Sequence, residues 1–392
     1  MAFLIRALSA IILFGLINIY AAGRIIKRWP WAEQHAAGAW LFVLAFFILQ
    51  MIGPFGDHMF FPILKKKYNA ARLVSVLNWV SYMAFGIMSL LVVYGLAIDA
   101  VSIICQIFIS SFNPEVFDRY ALYGIAIVTL ATTVIGVRYI MMGPQVKEVD
   151  IPLRNLPPSF DGFKIAQISD LHIGSTIGRR YTQNVVDIVN DLKPDLVALT
   201  GDFVDGSVED LAHDVEPLSA LQASCGVFFI TGNHEYYSGA FDWIDEFKRL
   251  GARVLLNQHV LISRGGENII LAGVTDYTAV SMVESHASDP VKALAGAPPG
   301  LIKILLAHQP ASCHTAAEAG FDLQLTGHAH GGQFFPFTFL VRFFQQYYKG
   351  LNRHNGMWIY VNRGTGYWGP PMRTGAPCEI TLITLRREAL GD

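Results

Sequence analysis

The sequence has 392 residues, of which 53% are hydrophobic and only 15% are charged, and its formal net charge is −2. Soluble chains carry about 25% charged residues, so part of this chain is expected to lie in lipid. The near-neutral balance gives no sign of a polyanionic partner such as nucleic acid. The cysteines are scattered and fit neither a disulfide framework nor a zinc ribbon: Cys105, Cys225, Cys313 and Cys378.

Residues 1–145 are dominated by apolar runs and are predicted to form a transmembrane anchor of about four helices. The four predicted spans are Ala7–Ala22, Ala37–Phe55, Val74–Ile98 and Tyr120–Val137. Ala7–Ala22 has a cleaved signal peptide as its alternative interpretation, because it is short and follows Arg6. Ala100–Phe112 is too short to cross alone and is predicted to continue the third helix or to lie at the interface.

Lysine and arginine counts in the short loops predict the orientation of this anchor. With the amino terminus inside, one side carries eight basic residues and the other carries four. Lys65, Lys66 and Lys67 contribute to the larger count. The counts place both termini in the cytoplasm. None of the predicted spans has an ionisable residue near its centre, and Asp99 is expected at a span end, so the bundle is interpreted as an anchor.

The composition changes after about residue 145. Residues 146–160 contain Pro152, Pro157 and Pro158 and are predicted to be a stiff linker. Residues 161–392 then alternate short apolar runs with helical patterns, followed by runs rich in β-formers. Early β-α-β units followed by strands predict an α/β domain of two sheets face to face, with helices outside.

Five polar clusters in this domain each follow an apolar run that is predicted to be a strand. They are Asp170-x-His172, Gly201-Asp202, Gly232-Asn233-His234-Glu235, His308, and Gly327-His328-Ala329-His330. Carboxylate, amide and imidazole donors without a thiolate suit Mn²⁺, Fe²⁺ or Zn²⁺. The pattern therefore predicts a metal site built at the ends of several strands.

This ordered set resembles the signature of the calcineurin-like metallophosphoesterase superfamily over about residues 160–385. The resemblance implies a four-layer α/β/β/α sandwich that holds two divalent metal ions. It assigns Asp170, His172 and His330 to one ion, with Asn233, His308 and His328 on the other. Asp202 would bridge the ions, and His234 would be the catalytic proton donor. The chain is further similar to the membrane-anchored bacterial branch, which implies an inner-membrane location.

Five residues are weaker candidates for substrate binding. Arg179 follows the first metal loop and could face a phosphate, but a basic helix start is an equal alternative. Arg363 and Arg373 lie in or near a block, Asn362–Gly366, that resembles the carboxy-terminal block of the membrane-associated branch. Tyr236 and Tyr237 follow the catalytic histidine, and they either wall the pocket or belong to the core.

Residues 334–349 form an aromatic run that begins soon after His330. Aromatic rings with basic neighbours are typical of a segment lying in the headgroup layer. The predicted membrane lip is centred on Phe335, Phe337, Phe339 and Phe343. A buried core helix is the alternative interpretation.

These observations lead to one main functional hypothesis and two alternatives. The main hypothesis is a membrane-anchored phosphohydrolase that cleaves a phosphoester or pyrophosphate, with a phosphorylated lipid as substrate and the bilayer as partner. One alternative keeps the anchor but assigns soluble nucleotides as substrates of a phosphodiesterase. The other is a non-catalytic membrane sensor whose metal site is structural. The sequence leaves the choice of metal and the oligomeric state open.

Overall fold

The computed structural model describes residues 2–28, 30–59, 64 and 70–388. The chain divides into two compact units. The first comprises Met1–Arg138 and Gly369–Met372, and the second comprises Tyr139–Trp368 and Arg373–Asp392.

The first unit is helical. Its helices are Ala2–Arg28, Pro30–Gln34, Ala36–Met59, Ala71–Phe108 and Pro114–Met141, the last of which runs into the second unit. Within the described residues, three segments are long and apolar enough to cross a membrane, and these are Ala36–Gly56, Arg72–Phe108 and Pro114–Met141. The first predicted span, Ala7–Ala22, lies in the helix Ala2–Arg28. The apolar part of this helix, Ile11–Ile26, is shorter than the three segments above. The basic cluster Lys65–Lys67 lies outside the described residues.

The helix Ala71–Phe108 is longer than the predicted span and takes in most of the apolar stretch that follows it. Asp99, expected at a span end, therefore lies inside a continuous helix. Its carboxylate forms an ion pair with Arg24 and accepts a hydrogen bond of 2.5 Å from the Tyr20 hydroxyl. Pairing of this kind offsets the cost of a charge among apolar helices.

The second unit contains two six-stranded sheets. The strands of the first sheet are β1 (Gln145–Leu153), β2 (Lys164–Ile168), β3 (Leu196–Leu199), β4 (Val227–Phe229), β5 (Arg253–Val254) and β12 (Glu379–Arg387). Their order is β1-β12-β2-β3-β4-β5. The strands of the second sheet are β6 (Gln258–Arg264), β7 (Glu267–Gly273), β8 (Lys303–Leu306), β9 (Leu323–Thr326), β10 (Gly350–His354) and β11 (Met357–Val361). Their order is β10-β11-β9-β8-β7-β6.

The structure corrects the predicted linker at residues 146–160, most of which is strand β1. This strand pairs in parallel with β12 from Gln145↔Glu379 onward. Its side chains Ile151 and Leu153 are buried in the core, which favours the sheet over a free linker. Pro152 is compatible with the strand because β1 lies at the sheet edge.

Apolar side chains of successive strand residues point to opposite faces of each sheet, and both faces of these sheets are covered. Ile165 and Leu196 of the first sheet share a core with Ile304 and Leu325 of the second. The outer face of the first sheet is covered by the helices Arg179–Asp191, Val208–Val215 and Ala240–Arg249. The outer face of the second is covered by the helices Pro290–Ala293 and Cys313–Glu318. The predicted α/β/β/α sandwich is confirmed.

Candidate metal centre

The predicted donor residues all follow strands, and the fold brings them together. Asp170 and His172 follow β2, Asp202 follows β3, Asn233 begins a short helix after β4, His308 follows β8, and His328 and His330 follow β9. Two clusters result, Asp170–His172–His330 and Asp202–His308–His328. Within each cluster the potential ligand atoms lie within 4.8 Å of one another.

Each cluster contains two imidazole nitrogens that face each other. His172 Nε2 lies 3.1 Å from His330 Nε2, and His330 Nε2 lies 3.3 Å from a carboxylate oxygen of Asp170. In the second cluster, His308 Nε2 lies 3.3 Å from His328 Nδ1 and 3.0 Å from Asp202 Oδ2. Ring nitrogens that converge with a carboxylate are the donor set that a divalent cation requires.

Asn233 supplies an independent sign that cations belong here. Its side-chain oxygen is buried and has no hydrogen-bond partner among the described residues. An unsatisfied buried acceptor costs about 1–3 kcal/mol, and a metal ion would satisfy this one. The residues present therefore fit the divalent ions that the sequence resemblance implies.

The loops that carry the candidate ligands have a backbone conformation that was not predicted from the sequence. Positive φ angles between 50° and 68° occur at Asp170, His172, Asp202, His328 and His330. Non-glycine residues in this region cost about 1–3 kcal/mol each. Five such residues in one centre indicate that the surrounding sheets hold the loops in a geometry set by the donors.

The glycines that precede ligands are required by close approach. A Cβ at Gly232 would lie 2.2 Å from Asp202 Oδ1, and one at Gly327 would lie 2.1 Å from Asp170 Oδ2. These distances are far below van der Waals contact. The glycines therefore allow loops from different strands to meet at the carboxylates.

The carboxylates of the centre are ionised in spite of their burial. Burial alone would raise the pKa of Asp170 and Asp202, but neighbouring histidines, His330 for the first and His308 for the second, hold each pKa well below its ordinary value. At His330, burial outweighs the Asp170 charge and lowers the pKa to about 4. This imidazole is therefore unprotonated at neutral pH, as a metal ligand must be.

His234 is held by Asp205, a residue that the sequence analysis missed. Asp205 Oδ1 lies 2.6 Å from His234 Nδ1 and 3.1 Å from His172 Nδ1. Burial lowers the pKa of His234, but the hydrogen bond that it donates to Asp205 and the charge of Asp202 more than compensate and raise it to about 9. The only sequence cue was a second aspartate three residues after Asp202.

Glu235 binds backbone N–H groups of two loops and is not one of the candidate metal donors. Its carboxylate accepts hydrogen bonds from the backbone N–H groups of Gly232, Asp202 and Phe203, at 2.6, 3.0 and 2.7 Å. Burial and the nearby Asp202 charge raise the pKa of Glu235 to about 7. This residue ties the loop after β3 to the loop after β4.

Two exposed aromatic rings flank His234, and of the two predicted tyrosines only Tyr237 is one of them. The rings of Tyr237 and Trp368 meet the His234 imidazole edge to face, with centroid distances of 5.3 and 5.9 Å. The Tyr236 hydroxyl instead lies 2.8 Å from His286 Nδ1. Consecutive residues of the short helix point in different directions, so Tyr237 lies beside the histidine in place of Tyr236.

The structure gives contacts for the three predicted arginines. Arg179 donates to the backbone carbonyl of His213 at 2.6 Å. Arg373 is completely buried, and its Nη2 lies 2.9 Å from His330 Nδ1, so it contacts a candidate ligand from within the protein. Arg363 is partly exposed beside Gly331, where it forms an ion pair of 3.5 Å with Glu379.

The aromatic run after His330 contains the short helix Phe337–Leu340. Phe335, Phe339 and Phe343 are exposed by 46, 49 and 68%, whereas Phe337 is only partly exposed. The guanidinium of Arg342 lies 3.5 Å from the centroid of the Phe339 ring. The run is therefore not a buried core helix, because it presents rings and a cation at the surface.

Comparison with known proteins adds a family context to this geometry. The family model described as calcineurin-like phosphoesterase matches residues 163–332. A zebrafish (Danio rerio) transmembrane protein with metallophosphoesterase domain is 37% identical over 269 residues, which cover 67% of this chain and 62% of that protein. An uncharacterized metallophosphoesterase of Campylobacter jejuni is 28% identical over 390 residues, covering 98% of this chain and 99% of that protein. An uncharacterized metallophosphoesterase of Aquifex aeolicus is 31% identical over 244 residues, which cover 62% of this chain and 92% of that protein.

Proposed function

Because the chain belongs to the calcineurin-like phosphoesterase family, we propose that it is a membrane-anchored phosphohydrolase that cleaves a phosphoester or pyrophosphate of a lipid headgroup. The observation that carries the hydrolase is the pair of donor clusters, each with two facing imidazole nitrogens and one ionised carboxylate. The apolar helices of the first unit supply the anchor.

We assign two divalent ions, Mn²⁺, Fe²⁺ or Zn²⁺, to these clusters. Asp170, His172 and His330 would hold one ion, and Asn233, His308 and His328 would hold the other. Asp202 would serve both. Two such ions, when bound, lower the pKa of a water toward neutrality and neutralise phosphate charge.

Proton donation and phosphate contact are assigned to side chains that are not metal ligands. Asp205 holds the Nδ1 side of His234 at 2.6 Å, while His234 Nε2 lies 3.9 Å from Asp202 Oδ2 and so faces the centre. With a pKa of about 9, the imidazole is protonated at neutral pH. His234 can therefore donate a proton to a leaving oxygen or stabilise charge on the phosphate. Arg363, partly exposed beside the loop of His330, is proposed to contact the substrate phosphate.

The lipid substrate is proposed from the aromatic lip, which we define as Phe335–Phe344. Exposed aromatic patches on soluble domains mark interaction surfaces. Phenylalanines with a neighbouring arginine suit the boundary between headgroups and acyl chains. The lip begins five residues after His330, so a headgroup held at the lip would be delivered near the metal ligands.

Exchange of Phe339 and Phe343 for serine tests the lipid proposal. Each ring that no longer enters the bilayer forfeits about 1.5–3 kcal/mol, so kcat/KM for a long-chain lipid phosphoester should fall by about tenfold or more. Turnover of a small aryl phosphodiester should change by less than about twofold. Both are measured with the full-length protein in mixed micelles. Phe241→Ser, at an exposed ring of the same unit outside the lip, is the matched control and should affect neither substrate.

The outcomes also separate the alternative functions. Equal loss on both substrates would indicate a damaged fold and remove the lip from the proposal. Efficient hydrolysis of nucleotides with no lipid turnover would favour the soluble-nucleotide alternative. Stoichiometric metal without turnover of any phosphoester would favour the non-catalytic sensor.

We further propose that the second unit faces the cytoplasm at a bacterial inner membrane, since basic residues favour that side by eight to four. Reporters fused after Asp392 measure this orientation. A carboxy-terminal fluorescent protein should fluoresce, and a carboxy-terminal alkaline phosphatase should be inactive. The reverse pattern would place the second unit outside.

A further inference from the structure

A second group of metal-ligating side chains lies in the same unit and shares no residue with the centre described above. Cys313 and His314 begin the helix Cys313–Glu318, and His354 ends strand β10. Each residue offers one potential ligand atom, the sulfur of Cys313 or an imidazole nitrogen of His314 or His354. These three atoms lie within 4.8 Å of one another. The fold thus joins residues that are 40 positions apart in the chain.

His354 carries a buried nitrogen that the described residues leave without a partner. The residue is 8% exposed, and its Nε2 is buried without a hydrogen-bond partner among the described residues. The other nitrogen, Nδ1, lies 3.1 Å from the Tyr347 hydroxyl. A buried nitrogen left without a partner costs about 1–3 kcal/mol, and a cation bound at Nε2 would remove that cost.

The surroundings of Tyr347 are compatible with the tautomer that a metal ligand needs. The Tyr347 hydroxyl donates its single proton to the Arg353 carbonyl at 3.3 Å and accepts a hydrogen bond from Gln346 at 3.2 Å. It is then left with one acceptor site for His354. With the Tyr347 proton on the Arg353 carbonyl, the neutral imidazole carries its proton on Nδ1 and leaves the Nε2 lone pair available. An outer partner of this kind is typical of metal-bound histidines.

The types of donor indicate which ion would bind. A thiolate with two imidazoles is a softer set than the carboxylate, amide and imidazole donors of the catalytic clusters, and it suits Zn²⁺. Cys313 is buried whereas His314 is exposed, so one side of the group is open to solvent. A core cysteine alone would explain neither the two adjacent imidazoles nor the unpartnered Nε2.

We propose that Cys313, His314 and His354 form a separate site for one Zn²⁺ ion, with water in the fourth position. The ion would link the start of the helix Cys313–Glu318 to the end of β10. The proposal does not depend on the phosphohydrolase activity.

Cobalt substitution in the detergent-solubilised full-length protein tests this site. Thiolate bound to Co²⁺ gives a sulfur-to-metal charge-transfer band in the near ultraviolet, which the sulfur-free donors of the catalytic clusters cannot produce. We expect a band equivalent to one thiolate per chain. Zinc X-ray absorption should show one sulfur at about 2.3 Å. Cys313→Ser should abolish both features, and Cys225→Ser, at a cysteine outside the group, should leave them unchanged.

His314→Ala provides a variant that does not disturb the core, because His314 is exposed. Its melting temperature without added metal should equal that of the wild type. The Co²⁺ concentration needed for half the band should rise at least about tenfold, since loss of even an outer partner costs 10–100-fold. Absence of a thiolate band in the wild type, its persistence in Cys313→Ser, or unchanged affinity in His314→Ala would overturn the proposal.

Discussion

Asp202→Ala is expected to lose at least one metal ion and nearly all turnover. The Asp202 carboxylate is 2% exposed; its Oδ2 lies 3.0 Å from His308 Nε2, and its Oδ1 accepts a hydrogen bond of 2.8 Å from the backbone N–H of His234. Two divalent cations about 3.5–4 Å apart need an anion between them, and Asp202 is assigned that role. Removing it leaves uncompensated positive charge as well as an unpaired N–H.

Elemental analysis of the purified variant, with turnover of an aryl phosphodiester, measures both effects. Asp202→Asn is an informative companion, because an amide oxygen can still accept from the His234 N–H but carries no charge. It should retain the fold and still lose metal. Asp245→Asn is the control, since that carboxylate is exposed and pairs only locally with Lys248. Retention of two ions in Asp202→Ala would contradict the bridging assignment.

The donor residues could be predicted from the sequence because each stands next to a short apolar strand. Carboxyl ends of neighbouring parallel strands meet at one edge of a sheet, so local patterns were sufficient to predict that Asp170, Asp202 and Asn233 would converge. The two-sheet architecture followed from the same alternation of strands and helices. Both predictions depend only on the residue pattern within short segments, which can be read directly from the sequence.

The residues that support the donors could not be predicted in this way. Trp368 contacts His234 across 134 positions, and Arg373 lies behind His330 across 43. Such contacts depend on where β12 and its preceding loop lie, which no local pattern records. Strand β1 was likewise hidden, because its prolines favour a linker until the pairing with β12 is known.

Asp205 is the clearest example of a supporting residue that a local sequence pattern cannot predict. Its position near Asp202 is local, but its function depends on two histidines that are 33 and 29 positions away. Its separation from Asp202 is that of an ordinary turn residue, and only the fold shows that it joins His172 to His234. The proposed catalytic role of His234 is therefore best tested together with Asp205.

His234→Ala is expected to keep both metal ions while losing about 10²–10⁴-fold in kcat, the usual contribution of a general acid. The residue is not assigned as a ligand, so elemental analysis should match the wild type. If His234 protonates the leaving oxygen, the loss should be smaller for a nitrophenyl leaving group than for an alkyl one. Equal losses would assign it to charge stabilisation on the phosphate, and loss of metal would make it a ligand.

The pH profile of Asp205→Asn tests how His234 is held. His234 has its pKa raised to about 9, so the acid form predominates below that pH, and a rate that depends on it should fall as pH rises through about 9. Asp205→Asn removes a carboxylate 2.6 Å from His234 Nδ1, which lowers the pKa of His234. The alkaline limb of kcat/KM should therefore move to lower pH, while Asp214→Asn, at a carboxylate that caps the helix starting at Arg179, should leave the limb in place. An alkaline limb that stays near pH 9 in Asp205→Asn would show that another group sets it, and His234 would then lose its assignment as the proton donor.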